Sequence, residues 1–528
     1  VSPFAIPSVG QKLKSYRVDS FAGGVDVKTT KLRLSRLKNG NRLTQGDSMV
    51  LTTEGGVTKR FGKVAINATT LGASVKILGG TQFRLSSGTD YQVVGTSDGR
   101  VVRINTDGTT SNLATGKSTN AGVRYRFATY NDLLHITNGY DAPMTWDGTT
   151  FQNMAGSPPA TGQVIVMHGN RAFMTARAVP SRLYWSALNN TVSWTGTTDA
   201  GFMDVEPNDN SILIDLVSSI QELVILKGRR PYRLQGIGPS TGYTVADHLV
   251  PTVGSVGAVS SQGAVFALND VFYVSELGVH QLTQTQQFGD LKEAFLSDRI
   301  EPYFRLDSEV ALSINQLNWA VCAYDSQANN IMVVADSDND GVNDTTLCYD
   351  NILKAWTIWP NTPYASLFTV RHPTTGAREV WAGGYDGFVY SLTRSSGSTE
   401  QISGIASYIT DLGEPGVQKS VRYGFFYFST EDFGSVQIST QFDFGAAGGQ
   451  VYTADLSAGS TLWDSAHWDI GLWDSGGPRT GIFRLDLSGL GEVVEFTVQN
   501  LQPDQPFTWL GFECFYRDRR HIRRPRSL

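Results

Sequence analysis

The chain has 528 residues and a mass of 57.5 kDa, and it is 40% hydrophobic, with 26 Phe, 20 Tyr and 11 Trp beside 55 Gly and 19 Pro. Only 17% of residues are charged, against about 25% in a typical soluble protein, which excludes a disordered chain, a coiled coil and a collagen-like fibre. The formal net charge of −6 excludes a protein that wraps nucleic acid with its whole surface, since that needs cations against phosphates.

At about 150 residues per domain the length predicts two to four domains. Frequent Gly, many aromatics and few charges predict an all-β protein. Three cysteines, Cys322, Cys348 and Cys514, make no disulfide framework and are read as reduced; Cys322 and Cys348 are candidates for strand neighbours. No run approaches the ~18 apolar residues of a membrane helix. The opening Val1-Ser-Pro-Phe-Ala-Ile-Pro lacks the basic start and apolar stretch of a secretory signal. The expectation is a soluble chain made in a reducing cytoplasm.

Residues 1–75 mix Lys and Arg with turn residues and read as an N-terminal arm or platform segment. From 76 to 400 the chain reads as short strands between Gly, Asn, Asp and Ser turns. Val94-Gly-Thr-Ser-Asp-Gly-Arg-Val-Val-Arg-Ile104 and Ala382-Gly-Gly-Tyr-Asp-Gly-Phe-Val-Tyr-Ser-Leu392 both fit G-x-x-D-G-x-V-x-x-[IL]. The Asp-Gly pair suits the positive backbone angles of a tight hairpin turn. Similar hairpins begin near 94, 136, 173, 225, 272, 332 and 382. Periods of ~40–50 residues with about four strands each predict a β-propeller, here of about seven blades. A stack of unrelated β-sandwiches is the alternative. Helical periodicity stands out once, in Asp290-Leu-Lys-Glu-Ala-Phe-Leu-Ser-Asp-Arg-Ile300, where Leu291, Ala294 and Phe295 share a face and Pro302 ends the run. Residues 401–528 alternate in longer strands and predict a β-sandwich platform with a basic tail.

Asp336-Ser-Asp338-Asn-Asp340-Gly341-Val-Asn-Asp344 places oxygen ligands at positions 1, 3, 5 and 9 with Gly at 6, which imitates a calcium loop. Position 12 is Leu347 where such a loop has a bidentate Glu, and a solvated Asp/Asn/Gly turn needs no metal. Other motifs fail on context. Gly238-Pro-Ser-Thr-Gly242 has the letters of a serine-hydrolase elbow but no helix after it. Thr115-Gly-Lys-Ser118 lacks the first Gly of a phosphate loop. The histidines, His135, His168, His248, His280, His372, His467 and His521, never fall at zinc-ligand spacing. No catalytic residues are assigned, and no cofactor beyond the calcium candidate.

Residues 517–528 hold six arginines against Asp518, a surplus of +5 that leaves −11 for the rest of the chain. Arg519, Arg520, Arg523 and Arg524 are read as docking on an acidic partner, with DNA contact and a solvated end as alternatives. Trp463, Trp468 and Trp473, each followed by Asp, are candidate interface anchors, with packing in a sandwich core as the alternative.

Three stretches carry a resemblance. Asp19-Ser-Phe-Ala-Gly-Gly-Val25 with Thr53-Glu-Gly-Gly-Val-Thr-Lys-Arg-Phe-Gly62 resembles the opening of tailed-bacteriophage virion proteins. His135–Phe151 and Arg182–Ala187 are similar to their propeller hairpins, and Trp463–Asp474 to their C-terminal domain. The nearest family is the tail nozzle, also called tail hub or DNA-stabilisation protein, of short-tailed phages. The resemblance implies a non-enzymatic, ring-shaped homohexamer in the virion tail that retains and then conducts DNA. It also implies docking on the portal–adaptor complex, with tail fibres or spikes and a plug or needle as neighbours. Competing readings are a receptor- or carbohydrate-binding propeller at a tail tip, another head–tail joining protein, and a propeller glycosidase with paired carboxylates.

Overall fold

The computed structural model describes residues 13–37, 41–195, 199–236, 242–252, 256–284, 291–372, 375–392, 400–430, 434–445, 447–456, 479–503 and 505–519. It divides into two compact units: residues 63–351 with 360–393, and residues 1–62 with 352–359 and 394–528. The first unit is a β-propeller, and its boundaries differ from the expected 76–400. It begins at Lys63, ends at Thr393, and is interrupted where Ile352–Trp359 leaves for the other unit.

Six blades are four-stranded antiparallel sheets. Five run in sequence order, with first strands Ile77–Arg84, Arg126–Tyr130, Gly162–His168, Leu213–Ser218 and Ala264–Ala267. Next comes a three-stranded meander of Val321–Asp325, Asn330–Ala335 and Thr345–Asp350. The last blade starts at Tyr364–Arg371 and takes its fourth strand from Val64–Ala65, which pairs with Val389–Ser391. Successive first strands pack side by side, and the last returns to the first. The expected count of about seven thus meets six separate four-stranded blades, with the meander as the remaining member of the ring. Each hairpin position read from sequence falls on the second strand of a blade.

Turn chemistry explains the hairpins. Asn131-Asp132, Gly169-Asn170 and Leu268-Asn269 have positive φ at both residues, the geometry that matches strand twist in a two-residue turn. The repeated Asp-Gly pairs differ from expectation, because only the glycine is left-handed, at φ 79° for Gly99 and 77° for Gly387. Thr96 and Arg100 pair across the first of these turns, so the glycine forms a bulge after a type I turn. Between blades the contacts are apolar: Phe173, Leu183 and Trp185 of the third pack with Leu216, Leu223 and Tyr232 of the fourth.

The helix expected over 290–300 is absent. Leu291–Phe295 is the fourth strand of the fifth blade, with His280 opposite Phe295 and Leu282 opposite Glu293, and a 3-10 turn over Asp298–Tyr303 follows. An open strand edge offered pairing that local helical periodicity could not outweigh. All three cysteines are free and buried; Cys322 and Cys348 lie on opposite sides of Asn330–Ala335, so they are not direct strand neighbours.

The second unit is a β-sandwich built from both ends of the chain. One sheet runs Arg479–Leu485, Gln418–Thr430, Thr508–Arg519, Val57–Lys59 and Met49–Leu51, with Lys14–Val18 also on Thr508–Arg519 and Gly489–Gly491 on Gln418–Thr430. The other runs Ala355–Trp359, Gln45–Asp47, Gly404–Thr410, Val494–Asn500, Ser435–Phe442 and Ala447–Asp455. Their inner faces meet in an aromatic core, with Phe496 tilted against Phe512 at 4.7 Å and 5.7 Å from Phe426, and Tyr408 5.6 Å from Phe512. Rings that bury this much area dominate a sandwich core.

Candidate functional site

Polar side chains at the starts of the first strands meet across the propeller axis. Gln262, just before the fifth blade, donates through Nε2 to the carbonyls of Leu78 in the first blade and Tyr125 beside the second, each at 3.1 Å. Arg124 donates to Gln262 Oε1 at 3.2 Å, to the Ala365 carbonyl of the last blade at 3.0 Å, and to the Trp319 carbonyl at 3.0 Å. Ser260 and Ser366 tie the Ala320 and Ile77 carbonyls. One glutamine therefore spans from the fifth blade to the first two, which closes this end of the axis.

Arg124 is buried and its guanidinium lies 4.3 Å from the Trp319 ring centroid. Burial pulls its pKa down to about 10, with Tyr385 pulling weakly the other way. Beside it opens a cavity of about 240 Å³ lined by Lys76, Arg124, Trp319, Asp336, Asn343 and Tyr385 among others. Lys76 Nζ sits 5.0 Å from the Tyr385 ring, and the Asn343 backbone N–H donates to the Tyr385 hydroxyl at 2.9 Å.

Asp336 connects this cavity to the acidic turn. Among the described residues, Asp336, Asp338 and Asp340 form the one acidic group able to offer three oxygens to a cation. Asp336 accepts from the backbone N–H of Asn339 and Gly341, Asp338 from Asp340, and Asp340 from Val342. Asp344, expected as a fourth ligand, instead accepts from both the backbone and hydroxyl of Ser337. Carboxylate oxygens alone suit a hard cation such as calcium, and three converge where sequence spacing gave four. Asp338 is exposed, and its pKa is raised by partial desolvation and by the neighbouring Asp340, Asp344 and Asp336.

The remaining sequence candidates divide cleanly. Trp463, Trp468, Trp473, Arg520, Arg523 and Arg524 lie outside the described residues, as does most of Gly238–Gly242. Arg519 is exposed at the end of Thr508–Arg519, opposite Gln418. Lys117 and Ser118 lie in a loop that leads to a strand and not to a helix. His135 is buried, and burial pulls its pKa down to about 4. His168 Nδ1 meets Ser218 Oγ at 2.9 Å, but its buried Nε2 has no partner, so no third group orients the ring for nucleophilic chemistry. Sequence reasoning missed Arg124 and Gln262. Nothing in Asn120-Ala-Gly-Val-Arg124 or Ser260-Ser-Gln262 distinguishes them from ordinary loop residues.

No protein-family model and no curated protein matches the chain. Solved structures do. YCF48 bound to D1 peptide aligns at 10% identity and TM-score 0.38 over 65% of this chain and 97% of its own. The extracellular domain of the putative hybrid two component system BT4673 from B. thetaiotaomicron aligns at 12% and 0.41, over 68% of this chain and 42% of its own. The WD40 beta propeller domain of Doa1 gives 10% and 0.41, over 63% and 98%. These likenesses carry no argument about function.

Proposed function

We propose that the protein is a non-catalytic structural component of a short-tailed phage virion, a tail nozzle that assembles as a ring, holds the genome and then conducts it. The observation that carries this reading is the chain's plan: a propeller inserted in sequence between the two halves of a β-sandwich. The stretches resembling nozzle proteins fall in both units. The hub of Arg124 and Gln262 closes the propeller axis, so the reading requires the DNA channel to form between copies, as in a hexamer. A formal charge of −11 outside the basic tail suits a wall that lets phosphates slide past. Trp463, Trp468, Trp473, Arg519, Arg520, Arg523 and Arg524 are then docking residues, toward neighbouring copies or the portal–adaptor complex.

Negative-stain electron microscopy of the concentrated full chain, alone and with a portal–adaptor template, tests the reading. Rings with a central hole wide enough for duplex DNA are expected under at least one condition. Single compact particles under both overturn it. A second reading, a receptor- or carbohydrate-binding propeller, draws support from the cavity faced by Trp319 and Tyr385, and glycan-array binding by the isolated chain would favour it.

A further inference from the structure

We propose that the cavity beside the axial hub is a binding site for a carboxylate whose carrier also presents a neighbouring N–H group. Arg124 is only 8% exposed, yet no carboxylate pairs with it among the described residues. Its Nη1 donates to Gln262 and Ala365, and its Nη2 to Trp319. A guanidinium has five N–H donors, so the Nε–H and a second Nη2–H are left over. Nε and Nη2 form one edge of the planar group, the edge that takes a carboxylate through two parallel hydrogen bonds.

A buried guanidinium held only by neutral acceptors bears a desolvation cost that an anion in the adjoining space would offset. The hub fixes its position from three sides, so little ordering remains for a ligand to impose. Lys76 contributes a second cation at the cavity, its Nζ resting against the Tyr385 ring. The acid lining the cavity, Asp336, is already held by two backbone N–H groups of its own turn. Asn343 supplies the other half of the recognition. It is 1% exposed, its Nδ2 donates to the Trp319 carbonyl at 2.8 Å, and its buried Oδ1 has no donor. An orphan acceptor in the wall calls for an N–H on the ligand. A cation edge and an amide acceptor in one small cavity fit an acylated acidic amino acid. This is either an Asp or Glu residue within a peptide or a free acid of the same chemistry.

The test is calorimetric titration of the full chain with N-acetyl-aspartate and with a doubly capped Ala-Asp-Ala peptide, using N-acetyl-asparagine amide and the doubly capped Ala-Asn-Ala peptide, neither of which has a carboxylate, as the neutral control. Saturable binding of at least one acid is expected, with the neutral control about tenfold weaker or more, as loss of charge-assisted hydrogen bonds requires. Tighter binding of the peptide assigns the site to an acidic side chain of a partner; tighter binding of the free acid assigns it to a small metabolite. Arg124→Lys keeps the charge but loses the fork and should abolish binding. Lys76→Ala removes an exposed side chain, so it should leave thermal unfolding unchanged while weakening the acid about tenfold. No saturable heat from either acid overturns the proposal, as does unchanged affinity in Lys76→Ala. Ring assembly seen by microscopy is a separate readout, so failure here leaves the nozzle reading standing.

Discussion

Arg126, on the first strand of the second blade, reaches Asp215 on the first strand of the fourth, with Nη2 to Oδ1 at 2.6 Å. The acid is wholly buried, and its Oδ2 has no donor. Burial pushes the Asp215 pKa up to about 7, although the Arg126 charge and the Leu216 N–H pull it down. Desolvation dominates because only one oxygen is served. A folded-state pKa above the unfolded value means that Asp215 favours folding at low pH. That contribution fades as pH rises from about 4 to about 7, with a slope of at most about 1.4 kcal/mol per pH unit. Urea unfolding of the wild type and Asp215→Asn at pH 5 and pH 8 measures it directly. The Asn variant should gain on the wild type as pH rises; a constant difference at both pH values would show that Asp215 stays ionised.

Lys227 gives a second buried charge with the opposite bookkeeping. Its side chain is fully enclosed, and Nζ donates to the Val205 and Glu206 carbonyls at 2.8 Å each and to Asp209 Oδ1 at 2.6 Å. All three ammonium protons are therefore placed, and they hold the connection between the third and fourth blades. Lys227→Met would leave the buried Val205 carbonyl without its ammonium donor, the Glu206 carbonyl with only the Asp209 N–H, and the Asp209 carboxylate with Ser211 but no countercharge. We expect a loss of about 3–5 kcal/mol, the usual cost of breaking a buried pair. The measurement is the denaturant midpoint, with an unchanged m-value marking a stability effect rather than a changed unfolded state. Lys227→Arg should not rescue it, since a planar fork cannot point at three acceptors arranged about a single nitrogen.

The fold was legible where local chemistry decides it. Asp98-Gly99 and Asp386-Gly387 mark turns that the backbone does make, and the alternating strands after them are blade strands. The closing strand was not legible, because Val64–Ala65 pairs with residues more than three hundred positions away and carries no turn signal of its own. Leu291–Phe295 misled for the converse reason: its periodicity is local, while its strand state comes from the open edge of Gly278–Gln284. At the site, Asp336, Asp338 and Asp340 announce themselves by spacing and do converge. Arg124, Gln262 and Asn343 are brought together only by ring closure, so a sequence read one segment at a time cannot join them.

The acidic turn yields a test of what ionising Asp338 costs. Asp338 has a raised pKa, through desolvation first and then through the like charges of Asp340, Asp344 and Asp336, so its ionised form opposes the folded state. Asp338→Asn, measured with a chelator present, should raise the melting temperature at pH 7. The gain should shrink toward zero as pH falls and the wild-type carboxyl protonates. A melting temperature that drops in the variant would mean that the Asp338–Asp340 backbone contact matters more than the repulsion.

Gly95 and Tyr125 link packing to the axial hub. A Cβ on Gly95 would lie 2.2 Å from Tyr125 Cγ, so the ring face of Tyr125 rests directly on the backbone of the first blade's second strand. Tyr125 is itself buried, and its carbonyl is one of the two that Gln262 holds. Gly95→Ala must push the ring away, and overpacking of this kind costs about 1–3 kcal/mol. Replacing the ring as well, in Gly95→Ala with Tyr125→Leu, should recover part of that loss, giving a coupling energy of about 1 kcal/mol in a double-mutant cycle. Strict additivity would mean that the strand and the ring relax independently. The single variant should also loosen the Gln262 contact, so amide exchange at the hub residues is expected to speed up before global unfolding does.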